Sequence, residues 1–163
     1  MKLDLYCYKE NDQDLYYKSG NSAFDLRSNE DKIIKPKSIN SIKTGYWFNL
    51  EMLQHQLEMN KLFKYFKIEL QIVPRSGLAK KNGITIENTP GTIDLNYQGE
   101  IECIIKNDSN EDFIITKGDR IAQAKLGLVV DLDKVEIKYM DKNSVFPVKS
   151  NRGETGFGDS GVK

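Results

Sequence analysis

One histidine, His55, and two cysteines, Cys7 and Cys103, are all that this 163-residue chain has of those types. Zinc sites built from Cys and His need several such ligands closely spaced, and almost no material for them is present. A lone histidine likewise leaves nucleophile triads of the Ser-His-Asp kind almost nothing to use. No GxxxxGK[ST] loop occurs. Charge of either sign is not in excess either, with Lys plus Arg and Asp plus Glu at 24 each and a formal net charge of zero. A nucleic-acid coat or a membrane-surface protein needs a basic surplus, so direct nucleic-acid binding and membrane association are not expected. Long apolar runs are absent as well, and the opening Met1-Lys-Leu-Asp does not resemble a secretory leader. The expectation is a cytoplasmic protein with reduced thiols, in which Cys103 of Ile101-Glu-Cys-Ile-Ile105 is a small core residue.

The length fits one domain with a substantial core. Short strands dominate the pattern. Candidates are Lys2–Tyr8, Ala23–Leu26, Ile33–Pro36, Ser38–Leu50, Phe66–Val73, Gly83–Glu87, Glu100–Lys106, Phe113–Thr116, Arg120–Val130 and Lys134–Tyr139. Lys67-Ile-Glu-Leu-Gln-Ile-Val73 alternates with the period of a half-buried strand. Asn82-Gly83, Pro90-Gly91 and Lys117-Gly118-Asp119 supply turns between them. Many short strands at near-regular spacing point to a mainly β fold, a sandwich or jelly roll.

Glu51–Tyr65 breaks this pattern, with no Gly, Pro or β-branched residue and with Met52, Met59, Leu62, Phe63 and Phe66 at helical spacing. The spacing predicts an inserted helix of about three to four turns that covers a sheet face, with His55 on its solvated side. Its methionines leave a protein-binding surface as a second use.

The last dozen residues carry Arg152, Phe157, Ser160 and the glycines 153, 156, 158 and 161 on a tail with little else to pack. Glycines let backbone N–H groups approach an anion closely. An arginine meets phosphate oxygens through two parallel hydrogen bonds, and an aromatic face stacks on a base. Together these are the tools of a lid over a nucleotide polyphosphate.

Four further blocks accompany the tail. They are Ser22-Ala-Phe-Asp25-Leu-Arg-Ser28, Pro74-Arg75-Ser76-Gly77-Leu78-Ala79, Asn88-Thr-Pro-Gly91-Thr-Ile-Asp94-Leu-Asn-Tyr97-Gln-Gly99-Glu100-Ile101, and Gly118-Asp119-Arg120-Ile-Ala-Gln123. In order and spacing the five blocks resemble the motifs of the trimeric deoxyuridine triphosphate nucleotidohydrolases (dUTPases). The resemblance spans nearly the whole chain outside Glu51–Tyr65. It implies a distorted jelly roll over 1–140, with the insertion at 51–65, and a flexible arm over 141–163 that closes on an active site of another subunit. It also implies a homotrimer with three sites, each built from more than one chain.

The implied reaction is hydrolysis of dUTP to dUMP and pyrophosphate, which keeps uracil out of DNA and supplies dUMP for thymidylate synthesis. Attack at the α-phosphorus needs a positioned water, a base and positive charge along the triphosphate. The resemblance makes Asp94 the base, a carboxylate of ordinary pKa about 3.9 that orients a water at neutral pH. Tyr97 becomes the sugar selector, its ring leaving no room for a 2′-hydroxyl. Asn88 pairs with the uracil edge through one donor and one acceptor. Ser76, with the Gly77 N–H, takes the phosphate chain at the start of a short helix, Ser76–Lys80. Arg75 either neutralises phosphate or braces the site, with a salt bridge between subunits as the plain alternative. Gln123 contacts the α-phosphate. Asp25 reaches Mg2+ through water, a hard ion that suits triphosphate oxygens and few carboxylates. Phe157 stacks on uracil, while Arg152 and Ser160, with Gly158 between, hold the γ-phosphate as the arm closes.

Departures from the family pattern are Ala23 and Phe24 in the first block, Asn96 in place of an acid, and Asp159 in place of a hydroxyl beside Ser160. The insertion enters where the family turns tightly, so it is expected to protrude. Three other readings remain open. A dCTP deaminase shares the fold and a Pro-Arg-Ser block but needs a Glu where this chain has Gln123. A nucleotide-switched regulatory protein of phage type would use the Glu51–Tyr65 helix as its contact surface. A jelly-roll structural protein would show no magnesium-dependent nucleotide affinity.

Overall fold

The computed structural model of the protein describes residues 2–59 and 63–145. The chain divides into two compact units, Met1–Asp131 and Leu132–Lys163. The described residues of the first hold eleven strands: β1 (Tyr6–Lys9), β2 (Phe24–Arg27), β3 (Lys32–Ile34), β4 (Ile39–Lys43), β5 (Tyr46–Asn49), β6 (Phe66–Val73), β7 (Ile84–Ile86), β8 (Gly91–Ile93), β9 (Glu102–Asn107), β10 (Phe113–Ile115) and β11 (Arg120–Val130). Every pairing between them is antiparallel. One sheet runs β2-β11-β6-β8 and another β4-β9-β7, with the ribbons β1-β5 and β10-β3 beside them. Two sheets closing on one apolar interior is the jelly-roll arrangement, as expected.

The alternation in the sequence explains which faces close. Along β6, Ile68, Leu70 and Ile72 are buried while Lys67, Glu69 and Gln71 are not. From the facing sheet come Ile42, Ile84, Ile86, Cys103 and Ile105, and the two sets meet in a single cluster. Removing such side chains from water, at roughly 25 cal/mol per Å² of apolar surface, is the main force that holds the layers together.

Most expected strands form within a residue or two. The expected Ser38–Leu50 run is split into β4 and β5 at Thr44-Gly45, where Gly45 has a φ of +69° that side-chain-bearing residues rarely adopt. Of Lys2–Tyr8 only its end pairs, as β1. Gly91 starts strand β8 rather than lying in a turn. Because β7 and β8 belong to different sheets, Glu87–Pro90 is a crossing between layers.

The inserted helix is shorter than expected and does not protrude. Helix α1 spans Leu50–Glu58, capped by Asn49, whose side chain accepts from the Met52 N–H. Leu62 lies outside the described residues, Phe63–Tyr65 form a turn, and Phe66 opens β6. The buried stripe is Leu50, Leu53, Gln54 and Leu57, not the methionines: Met52 is 44% and Met59 88% exposed. The first turn uses leucines that lie partly before the expected start, which is why the stripe is displaced. Two glutamines then tie the helix to backbone elsewhere in the chain. Gln54 Nε2 donates to the Phe66 carbonyl and its Oε1 accepts from the Ile68 N–H, both at 2.9 Å. Gln56 pairs in the same way with both backbone groups of Asp4. The helix therefore packs its leucines into the core.

A second helix, α2 (Ser76–Asn82), follows β6 and is two residues longer than expected. In the second unit a 3-10 turn at Leu132–Lys134 precedes helix α3 (Lys142–Val145). The expected strand Lys134–Tyr139 does not form there. A strand needs a neighbour for its N–H and C=O groups, and the described residues of that unit contain no other strand. Val135, Ile137 and Tyr139 are left exposed.

Candidate active site

Asp25 sits in β2 directly opposite Gln123 of β11, and it is 5% exposed. A carboxylate withdrawn from water needs countercharge and hydrogen bonds. Both are supplied from other blocks. Arg120 Nη1 lies 2.9 Å from Oδ2, Gln123 Nε2 donates to Oδ1 at 3.0 Å, and Arg75 Nε is 3.5 Å from Oδ1. Arg75 Nη1 also donates to the Arg120 carbonyl at 2.7 Å. The Arg120 guanidinium lies 5.0 Å from the centre of the Tyr16 ring, and Tyr16 accepts from the Asp25 N–H. Three blocks distant in sequence thus converge on one buried acid.

Ser76 and Gly77 begin α2 immediately after Arg75, and both are exposed. Asn88 is exposed ahead of β8, its amide close against Gly91. Asp94 follows β8 and starts a tight turn in which the Tyr97 N–H donates to the Asp94 carbonyl at 3.1 Å. The Asp94 side chain is exposed, and among the described residues no group donates to it. Tyr97 is 44% exposed and its hydroxyl donates to the Glu100 carbonyl at 3.0 Å. Tyr97, Asn96 and Gln98 line a cleft of about 390 Å³ with Tyr8 and Trp47.

Register separates these two groups. Ile93 lies opposite Leu70, and Asp94 is one residue beyond it. Arg75 lies five residues past Leu70 in the other direction, about 16 Å of extended chain at ~3.3 Å per residue. Gln123 is paired with Val73, on Arg75's side. One copy of the chain brings Asp25, Arg75, Ser76 and Gln123 to one end of the sheet, while Asp94 leaves β8 level with Glu69, six positions back along β6 from Arg75, and Tyr97 follows in the turn.

The sequence model for dUTPase matches residues 64–161. The deoxyuridine 5'-triphosphate nucleotidohydrolase of Helicobacter hepaticus is 42% identical over 141 residues, covering 86% of this chain and 76% of its own. The chain belongs to the dUTPase family. The enzyme of the same name from Nautilia profundicola is 44% identical over 140 residues, with 86% and 84% covered. Among solved structures, a mutant dUTPase of Staphylococcus bacteriophage 80alpha with dUpNHpp matches with a TM-score of 0.72 at 24% identity, over 99% of both chains. A mutant dUTPase from phage phi11 of S. aureus, described with a structural Mg(II) ion, matches at 0.65 and 20% identity, over 87% and 98%. At those identities the phage proteins show the shared fold.

Within this dUTPase fold, Arg120 is the residue for which sequence reasoning had no role. It stands in the fourth block, and a buried acid in the first block is the signal that would have called for it. Arg152, Phe157, Gly158 and Ser160, together with Asp159, lie outside the described residues. No described helix is long and apolar enough to cross a membrane.

The magnesium expected of the family finds no protein cage. No three Asp, Glu, His or Cys side chains cluster as ligands among the described residues. Both Asp25 oxygens already accept from Arg120 and Gln123. That donor set fits a hydrated ion arriving with phosphate oxygens, steadied by Asp25 through water, and does not fit a resident ion.

Proposed function

We propose that the chain hydrolyses dUTP to dUMP and pyrophosphate, at sites assembled between copies of itself in a homotrimer. The observation that carries this reading is the register: phosphate-binding residue types gather at one end of β6, and the acid–tyrosine turn leaves β8 level with Glu69, six positions back along β6 from Arg75. A single α-phosphorus must touch both groups, so a second copy has to bring its turn to the first copy's cluster. Membership of the family supplies the reaction class.

Asp94 accepts a proton from water, whose oxygen attacks the α-phosphorus. The bond from that phosphorus to the bridging oxygen breaks, and pyrophosphate leaves with the electron pair. Exposure and the lack of competing donors among the described residues leave the Asp94 carboxylate free to hold that water. Ser76, the Gly77 N–H and Gln123 orient the phosphates, while Arg75, gripped by Asp25 and the Arg120 carbonyl, adds fixed positive charge. Asn88 reads the uracil edge and Tyr97 rejects ribose. Arg152, Phe157, Gly158 and Ser160 close the site from the arm. Bound Mg2+, held by the triphosphate and Asp25's water, would neutralise phosphate charge and fix the conformation of the phosphate chain. In a cell, the reaction removes dUTP from the cytoplasmic nucleotide pool before uracil enters DNA and yields dUMP for thymidylate synthesis.

Gln123 donates its amide to Asp25 where a deaminase would place a glutamate, which counts against the dCTP reading. For the regulatory reading, the only support from α1 is its outward stripe of Met52, His55 and Met59. Pyrophosphate release measured across dUTP, dTTP, dCTP and UTP tests the proposal, with dUTP expected to be hydrolysed alone. Asp94→Asn should bind nucleotide and turn over nothing. Ammonia from dCTP, or full turnover by Asp94→Asn, would refute it.

A further inference from the structure

Tyr97 is half-exposed, so burial does not hold its ring in place. A selector that acts by contact needs a fixed position, because a ring free to swing yields to one extra oxygen. We infer that Gly99 and Glu100 are positioning residues for Tyr97 and thereby set the preference for deoxyribose over ribose. This rests on the reading of Tyr97 as the sugar selector.

Two independent contacts fix the ring. A Cβ placed on Gly99 would lie 2.3 Å from the Tyr97 hydroxyl oxygen, 2.5 Å from Cζ and 3.1 Å from Cε1. The edge of the ring therefore occupies the space where any other residue at 99 has its side chain. Gly99 does not have a positive φ, so the backbone there would accept any residue. The tyrosine ring is the objection.

The second contact is the hydrogen bond from the Tyr97 hydroxyl to the Glu100 carbonyl. That carbonyl is itself anchored. The Glu100 carboxylate accepts from the Gly45 N–H at 2.8 Å, at the bend between β4 and β5. Its neighbour Ile101 is fully buried, donates to the Tyr46 carbonyl at 2.9 Å and accepts from the Thr44 hydroxyl at 2.6 Å. The ring is thus tied by its far end to backbone held at the corner between β4 and β5, and its edge lies over a residue without a side chain. Neither Gly99 nor Glu100 needs to touch the nucleotide for this to work.

The test is the ratio of kcat/KM for dUTP to that for UTP, measured on the full-length protein, with thermal unfolding as the check on folding. Gly99→Ala should lower that ratio about tenfold or more, because the displaced ring no longer meets the 2′ position. Tyr97→Phe, which keeps the ring and loses the anchor, and Glu100→Ala should lower it in the same direction. Glu100→Gln retains an acceptor for the Gly45 N–H and should restore the ratio. A merely structural role would reduce both substrates alike and leave the ratio where it is, which would overturn the inference. If Gly99→Ala does not fold, Tyr97→Phe and Glu100→Ala decide on the same ratio. Tyr97→Ala separates the two levels of the argument. If it collapses the ratio while the positioning variants do not, positioning fails and the selector stands. If it leaves the ratio intact, the selector reading fails and the inference with it.

Discussion

Arg120 Nη1 lies 2.9 Å from Asp25 Oδ2, an ion pair between paired strands whose residues are 95 apart in sequence. Around that pair Arg75 and Gln123 take their orientation, so the acid organises two side chains that the proposed mechanism sets on the phosphates.

Replacing Arg120 with alanine should therefore damage both fold and catalysis. Asp25 would keep Arg75 and Gln123 but lose its closest charge partner. Since the Arg120 side chain is 38% exposed, solvent moderates the loss to about 1.5–3 kcal/mol. Urea unfolding measures it, and kcat should fall while Arg120→Lys recovers only part, lacking the planar fork. Unchanged stability and rate would show the cluster to be ornamental.

Sites shared between chains predict complementation. Asp94→Asn and Arg75→Ala should each be inactive alone, yet after unfolding and co-refolding a random mixture should regain about a quarter of wild-type sites if each site draws on two chains of a symmetric assembly. Sedimentation should give a three-chain mass. Absence of any recovery would mean that one chain supplies both groups.

Magnesium should bind only with nucleotide. Calorimetric titration of the protein with Mg2+ alone should give no heat of specific binding, whereas a non-hydrolysable dUTP analogue should create a site, and chelation should suppress turnover. Stoichiometric Mg2+ uptake by the nucleotide-free protein would contradict the fit drawn from Asp25's occupied oxygens.

Gln54→Leu keeps the volume of the side chain and removes its amide. The Ile68 N–H and the Phe66 carbonyl then lose their partners, at a cost of about 1–3 kcal/mol. A lower urea midpoint with unchanged activity at low temperature is expected, because α1 secures the sheet and lies outside the proposed chemistry.

Burial pushes the Cys103 thiol up to about 12, with the Glu102 charge adding to the effect. The unfolded thiol ionises earlier, near 9, so from there to about 12 the unfolded state holds fewer protons and stability falls as pH rises. Each pH unit in that window removes up to about 1.4 kcal/mol, and Cys103→Ala should flatten the decline in a pH series of urea midpoints. At pH 8 an alkylating reagent should label Cys7 in the native protein and reach Cys103 only after denaturation.

Much of this was legible along the chain because its causes are local. Alternation in Lys67–Val73 named the buried face of β6, the apolar run around Cys103 placed it in the core, and five short blocks carried the family likeness and the chemistry. The displaced helix stripe shows where local reading gives out: methionines and leucines both satisfy helical spacing, and only packing against β6 decides that Leu50, Leu53 and Leu57 go in while Met52 and Met59 stay out. Lys134–Tyr139 has the alternation of a strand, but alternation supplies no partner for its backbone.

By itself, then, the order of residues determined the residue types, the strand periods and the reaction class, all of which depend on neighbours a few positions apart. Tertiary structure alone decided that Arg120 meets Asp25, that Tyr97 lies over Gly99, and that β6 holds Asp94 away from Arg75. Those relations depend on strand register and on which sheet a segment joins, and both are set by burial and backbone pairing summed over the whole chain.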